Sequence, residues 1–319
     1  MRAIRVSSFG GPEVLRLQEA PDPAPGPGQV VVRVRAAGVN PVETYVRAGS
    51  YAALPQLPYT PGADAAGEVE AVGDGVALRK GERVFVSWSL SGTYAERVLC
   101  EAGQVHPLPA SLSFAQGAAL GIPYSTAWCA LFQRAQARAG QSVLVHGASG
   151  GVGLAAVQMA RAAGLFVLGS AGSERGRHLV VEQGAHHALD HGDPSHLDEA
   201  VRLAGGKGLD LVVEMLANVN LGRDLPALAR GGRVVVVGSR GAVEVNPRDL
   251  MSRDASVIGM ILYNATDAER ASLWAGIGAG LEAGTLRPVV FRELPLAEAA
   301  RAHREIIGEK VAGKIVLVP

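Results

Sequence analysis

Residues 141–153, Gln-Ser-Val-Leu-Val-His-Gly-Ala-Ser-Gly-Gly-Val-Gly, restrict the fold more than any other stretch of this chain. Ser142 to Val145 is a short, valine-rich apolar run and reads as a buried strand. Gly147, Gly150, Gly151 and Gly153 make a tight turn, and Leu154 to Ala163 continues as a helix of small and apolar residues. Strand, glycine turn and helix together present backbone N–H groups and a helix N-terminus to a diphosphate. Glycine is needed there because a side chain would hold the phosphate away. The spacing is G-x-x-G-G-x-G rather than the commoner G-x-G-x-x-G.

The residues after the turn bear on which dinucleotide fits. Leu165 to Gly169 is a second strand, one helix further on. An NAD-selective site usually carries Asp or Glu at the end of that strand, on the ribose 2′-OH. Ser170 stands near that position here, followed by Ala171, Gly172 and Ser173. A small residue leaves room, and Arg175 and Arg177 are placed to pair with a 2′-phosphate through charge-assisted hydrogen bonds. NADP is therefore the expected cofactor. Glu174 is the competing feature, since in a shifted register it takes the acidic role, and all three charges also suit the start of a solvated helix.

The rest of the chain alternates in type. Short strands with Gly/Pro turns fill residues 1–118: Met1 to Val6, Val14 to Leu17, Gln29 to Ala36, Gly67 to Val72 and Arg83 to Val86, with a loop and short helix over Gly38 to Arg47. Residues 119–264 hold strands alternating with helices, the later strands being His186 to Asp190, Leu209 to Leu216, Arg233 to Val237 and Ser256 to Leu262. That order predicts an α/β fold with a doubly wound parallel sheet and ligand at the carboxyl ends of its strands, beside a second, β-rich domain. Residues 265–319 contain helices over Ala268 to Ala283 and Pro295 to Gly308, then a last strand, Lys314 to Val318. With 319 residues, two domains are expected. Thirty basic and thirty acidic residues cancel, so the net charge gives no electrostatic footprint for nucleic acid or anionic membrane and leaves room only for a local patch. Cys100 and Cys129 form no metal-spaced pair or disulfide framework, and no apolar run reaches the length of a membrane span, so a cytoplasmic protein is expected. His146 and Cys129 read as core residues and His303 as structural.

Six runs carry a resemblance. They are residues 9–15 (FGGPEVL), 38–45 (GVNPVETY), 58–62 (PYTPG), 145–153 (VHGASGGVG), 214–220 (EMLANVN) and 231–241 (GGRVVVVGSRG). With these, the chain resembles the medium-chain dehydrogenase/reductase superfamily and, more narrowly, the zeta-crystallin-type quinone oxidoreductases. The resemblance implies a GroES-like domain, built from the N-terminal part and the C-terminal tail, around a central Rossmann domain. Zinc alcohol dehydrogenases of the superfamily place a cysteine ligand and a histidine ligand where this chain has Asn40 and, after Pro61-Gly62, Ala63 and Asp64. Those residues do not supply three N, S or carboxylate ligands, so no metal is expected. Without a metal the reaction must suit an acceptor that takes electrons readily, and a quinone does.

The resemblance also assigns residues. It puts Tyr45 toward the nicotinamide end of the cofactor, Ser149, Gly150, Gly151 and Val152 on the diphosphate, and Gly172 and Ser173 at the adenosine ribose and its phosphate. His191 after the third strand makes a further cofactor contact. Asn220, after the fourth strand, either bonds the cofactor or caps the next helix. Val237, Gly238, Ser239 and Arg240 close the fifth strand beside the nicotinamide. Met260, Ile261 and Leu262 end a sixth strand that touches the cofactor and, near Ile258, pairs across a homodimer or within a homotetramer. Asn40, Tyr51 and Asp64 are the acceptor-side candidates. The expected activity is NADPH-dependent quinone reduction, with one- or two-electron transfer left open. NADPH-dependent reduction of alkenals or enones, and NADPH-sensitive binding of AU-rich RNA, are the alternatives.

Overall fold

The computed structural model describes residues 1–308 and 310–319. The chain divides into two compact units, one of Met1–Ile122 with Pro288–Pro319, the other of Pro123–Arg287.

The central unit holds six parallel strands. Their spatial order is His187–Asp190, Phe166–Ala171, Ser142–Val145, Leu209–Glu214, Leu228–Val236, Ser256–Gly259. The order reverses between Ser142–Val145 and Leu209–Glu214, which is the switch point at which an open α/β sheet binds ligands. Helices Gly151–Ala162, Glu174–Glu182, His196–Leu203 and Ala217–Ala227 connect the strands. Helices cover both faces, and the strands are apolar on both: Val143, Leu144, Val145, Val212, Val213, Val234 and Val235 are all buried. The sixth strand is shorter than its sequence suggests. It stops at Gly259 and gives way to a turn at Leu262–Asn264. Its one neighbour among the described residues ends at Val236, and Met260 N makes the last bond, to Val236 O at 3.2 Å.

This unit also keeps the helix Asp267–Glu282, whereas a return to the first domain at residue 265 was expected. That helix packs on the stretch Gly121–Trp128 and Cys129–Arg134, the latter wound as a π-helix. Gln133 Nε2 donates to Glu269 O at 2.7 Å, and Arg134 pairs with the Glu269 carboxylate. A Cβ on Gly276 would lie 1.8 Å from the Trp128 ring, so glycine is what allows the helix to sit there.

The other unit holds a seven-stranded sheet and a two-stranded ribbon of Arg2–Arg5 with Arg16–Glu19. In the larger sheet the order is Val290–Pro295, Lys314–Val318, Gln29–Gly38, Asp64–Val72, Arg83–Ser87, Val105–Pro107, with Arg97–Glu101 also on Gln29–Gly38. The C-terminal strand is thus interior, parallel to one neighbour and antiparallel to the other. Residues 295–308, expected as one helix, begin with the last residue of a strand. Pro295 ends Val290–Pro295, and the helix is Ala299–Gly308, with Ala299, Ala302 and His303 on its buried face.

Candidate functional site

The sequence-predicted residues fall into two groups, one in each unit. In the central unit all six strands run parallel, so the loops after them lie along one edge of the sheet. From one end of that edge to the other stand His191, Gly172 with Ser173, Ser149 to Val152, Asn220, Val237 to Arg240, and Met260 to Leu262.

The turn after Ser142–Val145 is shaped for an anion. Gly147 has φ +57°, and Gly150 N bonds back to Gly147 O at 3.0 Å. The helix starts at Gly151 with Gly150 as its cap, and no side chain caps it. Leu154 N takes Gly150 O at 2.8 Å, which leaves the N–H groups of Gly151, Val152 and Gly153 as the orphan donors of the first turn. A Cβ on Gly153 would lie 2.4 Å from Gly147 O, so turn and helix pack without space between them. The residues present fit a dinucleotide diphosphate.

The adjoining loop completes a polar corner. Ser173 caps the helix Glu174–Glu182 by accepting from Gly176 N at 3.1 Å. A Cβ on Gly176 would meet Ser173 Oγ at 3.0 Å and Ser149 Oγ at 3.2 Å, so both hydroxyls border one small space. His191 is exposed and lies over Gly172, with its Nε2 2.5 Å from where a Cβ would stand. Arg177 bonds Asp190 Oδ2 at 2.7 Å, a partner not anticipated from sequence, while Arg175 is exposed.

Beyond the switch point two loops interlock. Val237 N and Gly238 N donate to Glu214 O at 2.8 and 3.3 Å, and Ala217 N donates to Gly238 O at 2.9 Å. Asn218 Oδ1 accepts from Arg240 N at 2.8 Å, so Asn218 fixes the loop in which Ser239 and Arg240 are exposed. Asn220 lies inside the helix Ala217–Ala227, whose cap is Leu216, so it is not a capping residue. Its Nδ2 donates to Glu214 Oε1 at 3.1 Å. Met260 and Leu262 are half-buried and Ile261 is exposed.

In the other unit the acceptor-side candidates separate. Tyr45 on the helix Pro41–Arg47 and Tyr51 on the following bend are half-buried. Asn40 and Asp64 are closed off from solvent and belong to a buried network, so they position neighbours rather than offer a surface. Asn40 Nδ2 donates to Asp64 Oδ2 at 2.9 Å and to Glu43 Oε1 at 3.1 Å. Lys314 Nζ donates to Asp64 Oδ2 at 2.8 Å and also to Asn40 Oδ1. Asp64 Oδ1 accepts from Ile122 N at 2.7 Å. Glu43 accepts from Ala63 N at 3.1 Å and from the Tyr94 hydroxyl, which lies 3.2 Å from His303 Nε2. Burial raises the Glu43 and Tyr94 pKa values and pushes His303 down to about 3. Gly38 makes room for the lysine, since a Cβ there would lie 2.7 Å from Lys314 Cε. Sequence reading missed Glu43, Tyr94 and Lys314. For zinc the fit is poor. An amide, an alanine and a carboxylate already paired with an ammonium group do not make a zinc site.

Fold and turn together define a medium-chain dehydrogenase/reductase. The family model for alcohol dehydrogenase GroES-like domains matches residues 26–110, and that for zinc-binding dehydrogenases matches residues 151–275. Quinone oxidoreductase of Rattus norvegicus is 54% identical and that of Homo sapiens 52%, each over all of this chain and 98% of the relative. The crystal structure of Escherichia coli quinone oxidoreductase complexed with NADPH superimposes with a TM-score of 0.90 at 29% identity, covering both chains completely. The chain belongs to the zeta-crystallin-like quinone oxidoreductase family.

Proposed function

We propose that this chain reduces quinones with NADPH by direct transfer to the acceptor and without zinc. The observation that carries the metal-free reading is the Lys314 ammonium bonded to both Asn40 and Asp64, where zinc dehydrogenases place ligands. A fixed cation there leaves no position for a Lewis acid, which favours an acceptor that needs none. NADPH, when bound, supplies the hydride. The chain's residues bind and orient: Ser149 and amides 151–153 take the diphosphate, and Ser173 and Arg175 take the 2′-phosphate with Arg177 as a second cation. Asn220 and residues 237–240 fix the nicotinamide end; in the other unit Tyr45 and Tyr51 are half-buried. The proton balance closes with water, since quinone, hydride and one proton give hydroquinone.

Steady-state oxidation of NADPH with an ortho-quinone, a para-quinone and an enone tests this. Turnover with the quinones exceeding that with the enone is expected, and no oxidation with any quinone would overturn the reading. The preference for NADPH over NADH should weaken in Arg175→Ala or Arg177→Ala. Unchanged discrimination in both would mean that the 2′-phosphate is held by other groups.

The chain further forms homo-oligomers through the edge strand Ser256–Gly259. Val257 on that strand and Met251, Ile261 and Tyr263 beside it are exposed, an apolar concentration at an unpaired sheet edge. Light scattering on wild type and Val257→Lys should show a multimer that the lysine dissociates. Among the described residues no helix is long and apolar enough to cross a membrane. Both cysteines are free and buried, which supports a reducing, cytoplasmic location.

A further inference from the structure

We propose that His146, Glu214 and Asp224 are positioning residues that share one proton beneath the dinucleotide turn, and that NADPH binding draws that proton in. The proposal rests on the diphosphate docking argued above. Affinity then falls as pH rises past neutrality.

The three side chains converge from different elements. His146 follows the strand Ser142–Val145 and immediately precedes Gly147, Glu214 ends the neighbouring strand, and Asp224 comes from the helix Ala217–Ala227. None is more than 2% exposed. His146 Nε2 lies 2.9 Å from Asp224 Oδ1 and 3.5 Å from Glu214 Oε2. Its Nδ1 lies 3.2 Å from Ser170 Oγ. Glu214 Oε1 accepts from Leu216 N and Asn220 Nδ2. Among the described residues Glu214 Oε2 and Asp224 Oδ2 are buried without a hydrogen-bond partner.

Counting hydrogens shows what is missing. With Ser170 donating to Nδ1, the imidazole brings one hydrogen, on Nε2, and Asp224 Oδ1 takes it. Two neighbouring carboxylates shut away from water do not both stay charged. One proton between them satisfies the orphan oxygens and removes a charge. Burial, the largest effect, raises Glu214 to about 7 and Asp224 to about 6, and it lowers His146. The other groups facing the cluster are Ser170 from the second strand, His196 from the helix His196–Leu203, and Asn220 and Arg223 from the helix Ala217–Ala227. The His196 ring meets His146 edge-on at 6.0 Å, and its Nε2 is unpartnered among the described residues. Arg223 favours the charged form of Asp224. A cavity of about 450 Å³, lined by Leu197, Asp198 and Arg223, opens between these two helices.

The cluster touches what the cofactor needs. His146 adjoins the turn, and Glu214 holds Leu216, Asn220 and, through its carbonyl, Val237 and Gly238. Losing the shared proton puts a second buried negative charge under the turn, opposed to a diphosphate. By reciprocity, a bound diphosphate strengthens the cluster's hold on its proton.

The test is calorimetry with NADPH on the full chain. At pH 8, well above the titration of a phosphate monoester at about 6, titrations in buffers of different ionisation enthalpy should show net proton uptake by wild type. The dissociation constant should rise severalfold between pH 6.5 and 8. Glu214→Gln keeps an oxygen for Leu216 and Asn220 and stays neutral, so it should show neither uptake nor that pH dependence. No uptake by wild type, or equal uptake in Glu214→Gln, would overturn the proposal, as would stoichiometric metal lost in Glu214→Gln. The wild-type proton count decides the matter even if the variant does not fold. Failure to bind NADPH at any pH would instead sink the reading of the turn.

Discussion

Lys314 shows how little of a buried ion pair is visible in sequence. Its carboxylate partner Asp64 is 250 residues away, and no local pattern links them. Replacing the lysine by methionine leaves Asp64 charged and unpaired in the interior, which costs about 3–5 kcal/mol. Urea unfolding of Lys314→Met should show that loss, and the double variant with Asp64→Asn should recover much of it. Glu214 makes a pH prediction of known sign. The native carboxyl holds its proton to about pH 7, whereas an ordinary one releases it near 4.5. The native state therefore binds more protons in that window, so stability falls as pH rises through it and levels off above 7. In thermal melts Glu214→Gln should gain on wild type between pH 5 and pH 8. The glycines of the turn were legible as turn residues because what they do there is local: a positive φ, an uncapped helix start and a close approach each need a specific residue type at one position. Asn40 and Asp64 were legible as unusual residues but not as buried ones, since their burial depends on Lys314.

At the scale of elements, sequence pattern served where an element stands alone and failed where neighbours decide. The parallel strands are apolar on both faces and read directly. Arg97–Glu101, Val105–Pro107 and Val290–Pro295 are short or charged, and they are strands only because partners complete them. The sixth parallel strand failed in the opposite sense, its apolar residues running on past the end of its neighbour. The helix Asp267–Glu282 was assigned to the wrong unit because nothing in its own sequence names Trp128 as the surface it lies on. Gly276→Ala tests that seat. The added methyl must displace the indole, and the variant should lose about 1–3 kcal/mol in chemical denaturation while helix content stays near wild type.

For the whole molecule, alternation of strand and helix in the middle pointed to the parallel-sheet unit, whereas the return of the C-terminal strand to the other unit came only from the family resemblance. The metal question belongs to this scale, because ligand positions from separate segments must agree. Metal analysis of purified protein should find zinc far below one per chain, and exhaustive chelation should leave quinone turnover intact. Stoichiometric zinc with chelator-sensitive turnover would reverse the assignment.

The interior place of Lys314–Val318 also sets a schedule for synthesis. The strand it lies against, Gln29–Gly38, leaves the ribosome long before it and stays without that neighbour until residues 314–318 are translated. The central unit can condense meanwhile, since all of its sequence has by then emerged. A nonsense codon at position 314 would thus leave Gln29–Gly38 without that neighbour, and its unit unfinished and exposed to proteolysis.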